Sequence, residues 1–155
     1  MTDTKEKTKP VDPALFTRSI FRVSVPNISS TWAYIQPWFA SIFADKPTHT
    51  PDDVWQMLLA ERAQLWIQFC QETGAIEAAF VTEFAAYPRG VWVRIWLGAA
   101  PPKVKIHYNM VKAAMNEWAR MHGARGFEII GRHGWLHKFP EAVVEGLCMR
   151  VTFDG

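Results

Sequence analysis

The feature that most restricts this chain is a change of hydrophobic period at Gly98-Ala99-Ala100-Pro101-Pro102. Before it, three runs alternate with period two. Leu65, Ile67 and Phe69 alternate with Trp66, Gln68 and Cys70. Ile76, Ala78, Phe80, Thr82 and Phe84 alternate with Glu77, Ala79, Val81 and Glu83. Val91, Val93, Ile95 and Leu97 alternate with Trp92, Arg94 and Trp96. Turn residues separate the runs, Glu72-Thr73-Gly74 and then Tyr87-Pro88-Arg89-Gly90. Clean alternation with short connections predicts an antiparallel meander with one face on the core. After the break, His107, Met110, Val111, Ala114, Met115, Trp118 and Met121 recur three and four residues apart. That spacing predicts a helix over 106–122, with Gly123 placed to end it in the left-handed conformation.

The flanks extend the pattern. Phe21 to Val25 alternates as a first strand and stops at Pro26. Ser29 and Ser30 are candidate caps for a helix whose face carries Ile35, Trp38, Phe39, Ile42 and Phe43, and which starts near Pro37 or kinks there. Thr50-Pro51-Asp52-Asp53 opens a second helix, running to about residue 62 and burying Val54, Leu58 and Met57. Phe127 to Ile130 reads as a short buried strand and Gly131-Arg132-His133-Gly134 as a tight turn. Trp135 to Val144 reads as a short helix bent by Pro140, and Leu147, Met149, Val151 and Phe153 close the chain as a last strand. The order is β-α-α-β-β-β-α-β-α-β. It implies an α/β (α+β) fold with a mixed central sheet and helices on both faces. The 106–122 helix becomes a right-handed crossover between two parallel strands. Residues 1–13 are a polar tail, flexible or ordered by a partner, and residues 14–155 form one domain.

Composition narrows the function classes. Seventeen Lys and Arg against 15 Asp and Glu leave a net charge of +2, without the basic excess of a nucleic-acid binder. No apolar run is long enough to span a bilayer, and the polar N-terminus has no secretory h-region, so a protein made and kept in a reduced compartment is expected. Cys70 and Cys148 read accordingly as packed thiols. His133 and His137, four apart, supply only half of a metal motif, and no metal is expected. Of the eight tryptophans, Trp66, Trp92 and Trp96 fall out of phase with the aliphatic residues of their strands. Either a second helix layer covers them, or they form a partly open aromatic face around Arg94, of the kind enriched at protein interfaces.

The element order resembles the GNAT acyltransferase fold over about residues 20–155. The likeness is strongest where the long helix ends at Gly123 and leads through Ala124-Arg125-Gly126-Phe127 into a strand, then into Gly131-Arg132-His133-Gly134-Trp135. That last run is similar to small GNAT-like proteins of tailed bacteriophages and prophages. The resemblance implies an acetyl-coenzyme A site whose pyrophosphate rests on a glycine-rich loop opening the long helix. Here that place reads Leu97 to Lys105; the glycine pattern is missing and Pro101 and Pro102 remove two N–H donors. Gly98, Lys103 and Lys105 are what remains for the cofactor. The resemblance also implies a glutamate base on the strand before the long helix. That strand carries Trp92, Arg94 and Trp96 instead, while Glu83 and Glu77 lie on the preceding one. No tyrosine follows Tyr108 to serve as the acid, for which His133 or His137 would substitute.

The expectation drawn from these departures is a non-catalytic GNAT-fold phage structural or assembly protein without cofactor. It would be made in the host cytoplasm and associated with the virion. Its partners would be other virion proteins or a second copy, met through Trp66, Trp92, Arg94 and Trp96 together with Lys5, Lys7, Lys9 and Val11 of the tail. The alternative is an acyl-coenzyme A-dependent N-acetyltransferase with a degenerate pyrophosphate loop, using Gly98, Lys103 and Lys105 for the cofactor and Glu83 and His133 for catalysis. A third reading is a phage protein that binds a host factor.

Overall fold

The computed structural model describes residues 17–44, 46–131, 138–146 and 149–153. Within them a five-stranded sheet has the order β1-β2-β3-β4-β5: β1 Arg18–Arg22, β2 Gln64–Cys70, β3 Ala75–Tyr87, β4 Gly90–Ala99 and β5 Phe127–Ile129. β2, β3 and β4 pair antiparallel, as the short turns between them require; β1 also pairs antiparallel with β2, across the intervening helices, and β4 pairs β5 in parallel. The expected crossover helix joins that parallel pair; it spans Tyr108–Met121 and is labelled α4 below. Gly123 ends it at φ +64°, a conformation that favours glycine.

Among the described residues three α-helices precede β2: α1 Ile28–Ile35, α2 Ala40–Ala44 and α3 Pro51–Leu59. Pro37 does not start the first of them. It sits in a 3-10 turn, Gln36–Phe39, that joins α1 to α2, because its missing N–H interrupts the i→i−4 ladder. Neither Ser29 nor Ser30 caps α1; Asn27 holds the cap position, and β1 ends three residues before the expected Val25, where a 3-10 turn carries Pro26. The Thr50 signal holds fully. Its hydroxyl accepts from the Asp53 N–H, and the Asp53 carboxylate accepts from the Thr50 N–H at 2.8 Å, a reciprocal capping box.

Both faces of the sheet are covered, as the expected helices on both faces require, so only the narrower expectation of a meander with one face on the core is corrected. On one face Leu65, Ile67, Ala79, Val81 and Leu97 meet Trp32, Ile35, Phe39, Val54 and Leu58 of the early helices. On the other, Trp66, Phe80, Val93 and Ile95 meet Val111, Met115 and Ala119 of α4. The alternation of β4 is not carried through, because Val81 and Thr82 face Leu97 and Ile95 in turn. Trp96 is therefore an extra residue, a bulge that sends Ile95 and Leu97 to opposite faces. Glu77 is extra in β3 for the same reason, since Gln68 faces Ala78 and Phe69 faces Ile76.

The closing helix and strand are corrected within the described residues. Residues 138–144 make turns around Pro140 instead of a helix, and 149–153 join no strand. Proline removes a helical N–H and clashes with the preceding turn. Met149, Val151 and Phe153 alternate as expected but stay exposed, with no strand beside them. Among the described residues no helix is long and apolar enough to cross a membrane, and no three His, Cys, Asp or Glu side chains gather to hold a metal.

Candidate functional site

The loop between β4 and α4 begins at the open part of β4. β5 pairs only with Val93–Ile95, and a last bond runs from the Ile130 N–H to the Ile95 carbonyl at 3.1 Å. The pairing of β4 with β5 ends there. Among the described residues no strand lies beside Trp96–Ala99 on that edge. The chain then turns at the proline pair, where the Val104 N–H reaches the Pro101 carbonyl at 3.4 Å and Lys103 takes φ +66°. His107 occupies the cap position of α4 without capping it through its side chain.

A cavity of about 410 Å³ opens at this helix start, lined by Val104, Lys105, Ile106, Tyr108, Asn109 and Lys138. Two of the six are cations, and none is acidic. Lys138 comes from outside the motif region because Phe139, fully buried, anchors its segment. The Phe139 ring meets Tyr108 edge-on at 5.8 Å and Phe127 at 6.0 Å, and Lys112 reaches both Phe139 (5.2 Å) and the Glu141 carboxylate (3.1 Å). Burial raises the Tyr108 phenol above its ordinary pKa, so it stays protonated as a donor at the pocket wall.

The expected cofactor residues divide. Lys105 lines the pocket; Lys103 is exposed beside it but not in its wall, and Gly98 is paired with Phe80 inside the sheet. Glu83, the expected base, is committed elsewhere. Arg94 donates to Glu83 at 3.2 Å, to Glu128 at 2.8 Å and to the Tyr87 hydroxyl at 2.9 Å, while Tyr87 donates to Glu128. Burial works against the charge of Arg94, but the bonds to Glu128, Tyr87 and Glu83 outweigh it and hold its pKa well above the ordinary arginine value. None of Arg94, Glu83, Glu128 and Tyr87 lines the pocket at the start of α4, so this network and the basic pocket are not brought together. His133, with Lys5, Lys7, Lys9 and Val11, lies outside the described residues.

The aromatic candidates do not form one face. Trp66 is buried under α4, stacked on Phe80 at 5.8 Å and bonded through Nε1 to the Thr82 hydroxyl at 2.9 Å. Trp92 and Trp96, half-buried, point to the opposite side. The bulge is why phase alone misplaces them. His49 was not singled out by its sequence context. It packs edge-on against Trp96, the bulged residue, with ring centroids 4.6 Å apart, and its Nδ1 is buried with no partner among the described residues. Lys46 lies 5.7 Å from the same indole.

No family model matches the chain, and no curated protein matches it. Solved structures do. An aminoglycoside acetyltransferase from an uncultured soil metagenomic sample, in complex with sisomicin, superposes with a TM-score of 0.67 at 10% identity, over 91% of this chain and 99% of the other. Glucosamine-6-phosphate N-acetyltransferase from Arabidopsis thaliana gives 0.62 at 11% identity, over 89% and 99%. A predicted acetyltransferase from Clostridium acetobutylicum, with acetyl-CoA, gives 0.61 at 14%, over 88% and 96%. The fold is therefore GNAT-like: a mixed five-stranded sheet between two helix layers, shared with acetyltransferases along most of its length. These neighbours overturn the expectation of a non-catalytic phage assembly protein, because they are acetyltransferases and one of them holds acetyl-CoA. Nothing in them supports a phage origin or a virion role.

Proposed function

We propose that this protein transfers an acyl group from an acyl-coenzyme A thioester to an amine. The observation that carries the reading is the basic pocket at the start of α4, on the loop that leaves β4. The donor set fits phosphate by an unusual route. Pro101 and Pro102 lack the N–H groups that a glycine-rich loop would offer, and the ammonium groups of Lys105 and Lys138 take their place. The edge of Trp96–Ala99 that has no strand beside it among the described residues offers backbone donors and acceptors to the amides of the pantetheine arm. When bound, the thioester supplies an activated carbonyl. Glu83 is held by Arg94 and is not free to accept the proton of the incoming amine.

Calorimetric titration of the full chain with acetyl-coenzyme A tests this directly. Saturable heat with a micromolar dissociation constant is expected. Lys105→Glu and Lys138→Glu should each weaken it about tenfold, the value of one partly exposed charge-assisted contact. Turnover of acetyl-coenzyme A on a panel of primary amines is expected with the wild-type chain. Absence of saturable heat with the wild-type chain, or charge reversals without effect, would overturn the reading.

A further inference from the structure

We infer that Gln68, in the middle of the molecule and far from the loop in sequence, is a positioning residue for the pocket at the start of α4. Its side chain is 1% exposed and makes three hydrogen bonds. Nε2 donates to the Glu77 carboxylate at 3.1 Å and to the Lys105 carbonyl at 3.0 Å. Oε1 accepts from the His107 N–H at 2.9 Å. The amide thus grips the loop on both sides of Ile106, two residues before α4 begins.

The orientation of that amide follows from chemistry. Turned over, Oε1 would face a carboxylate and a carbonyl, and the NH2 group would face an N–H, so all three contacts would be repulsive. The direction is reinforced from β1. Arg18 meets Glu77 through Nε at 3.0 Å and Nη2 at 3.1 Å, and this pairing, together with Gln68, holds the Glu77 carboxyl below its ordinary pKa against the opposing effect of burial. Glu77 reaches this position because it is the bulged residue of β3. A relay therefore runs from Arg18 through Glu77 and Gln68 to the Lys105 carbonyl and the His107 N–H.

The loop needs such a hold. It lacks a glycine between Gly98 and α4, contains two prolines, and opens a helix with no side-chain cap. Lys105 and Tyr108, on either side of the gripped segment, both line the pocket. Gln68 touches no part of the cavity itself, so its effect on a ligand is indirect. The consequence for acyl-coenzyme A affinity rests on the reading proposed above; the effect on the loop does not.

The test uses the full chain and two variants. Gln68→Met keeps the volume and removes all three bonds, whereas Glu77→Gln keeps an acceptor for Gln68 and removes only the ion pair to Arg18. Hydrogen exchange, followed by mass spectrometry without ligand, should rise about tenfold over residues 104–110 in Gln68→Met, the loss of roughly one to two net hydrogen bonds to the loop. Glu77→Gln should leave that segment near the wild-type rate. Acetyl-coenzyme A should bind Gln68→Met several-fold more weakly, and Glu77→Gln as the wild type does. Unchanged loop exchange in Gln68→Met overturns the positioning role whatever the binding data show. Faster exchange in a protein whose wild type binds no acetyl-coenzyme A would sink the proposed function and leave the positioning role standing. Should Gln68→Met fail to fold, the wild-type His107 amide decides: protection well above that of an unstructured chain is expected, and its absence refutes the contact.

Discussion

Thr82→Val tests the polar centre of the sheet. Thr82 is fully buried opposite the β4 bulge, and its hydroxyl serves two partners. It accepts from the Trp66 indole N–H at 2.9 Å and donates to Gln64 Oε1 at 2.9 Å. Valine has the same branching, so χ1 and packing are kept. What is lost is one acceptor and one donor. The indole N–H is left orphaned beneath α4, which costs about 1–3 kcal/mol; Gln64, at the margin of burial, reaches water more readily and falls at the low end of the same range. The methyl that replaces the hydroxyl returns about 1 kcal/mol of burial. The balance is a loss of about 1–3 kcal/mol, which for a chain of this length lowers Tm by about 2–4 °C per kcal/mol. Scanning calorimetry reads it, and near-ultraviolet circular dichroism should show the Trp66 band altered. Thr82→Ser keeps both bonds and should lose only the methyl, about 1 kcal/mol. A Thr82→Val protein as stable as the wild type, or less affected than Thr82→Ser, would refute the hydrogen-bond chain as drawn.

Met115→Ala should destabilise by about 2–5 kcal/mol in chemical denaturation, because the side chain is fully buried between α4 and the sheet; a loss under about 1 kcal/mol would show that the site collapses freely. The Arg18–Glu77 pair gives a pH dependence with a definite sign. The Glu77 pKa is lowered in the folded state, so its stabilising effect is present above the ordinary glutamate value of 4.5 and is lost as pH falls through the folded value. The Tm difference between wild type and Glu77→Gln should therefore be full at neutral pH and shrink below about pH 4.5; a difference that grows on acidification would contradict the pairing. The tenfold losses for Lys105→Glu and Lys138→Glu should also diminish at high salt, as expected of partly exposed charges.

Much of the fold was legible because its signals are local. Period two over 65–97 and three-four spacing over 107–121 each depend on side-chain direction within a single element. The Thr50 capping box and the Gly123 stop depend on three or four neighbouring residues. The meander, the parallel return and the single crossover followed from these. The proline pair and Lys105 also marked the loop that proved to border the pocket.

The site itself depended on contacts between distant segments. Two bulges decided which face each side chain took: Trp96 in β4 sent Leu97 away from Ile95, and Glu77 in β3 reached Arg18 and Gln68. A bulge is a property of two strands in register, and one strand's alternation does not contain it. Hence Trp66 lay under α4 while Trp96 met His49, although both stood out of phase in the sequence. Glu83 looked available as a base until the neighbouring strands brought Arg94 against it. Lys138 entered the pocket only because Phe139 found a buried place between Tyr108 and Phe127. Gln68 grips a backbone 37 and 39 residues further on. The amino-acid order by itself determined which segments are strands and helices, since those choices minimise local strain and present one apolar face. Which polar groups converge was decided by tertiary structure, because a hydrogen bond depends on the position of both partners and the chain specifies the second only once it has folded.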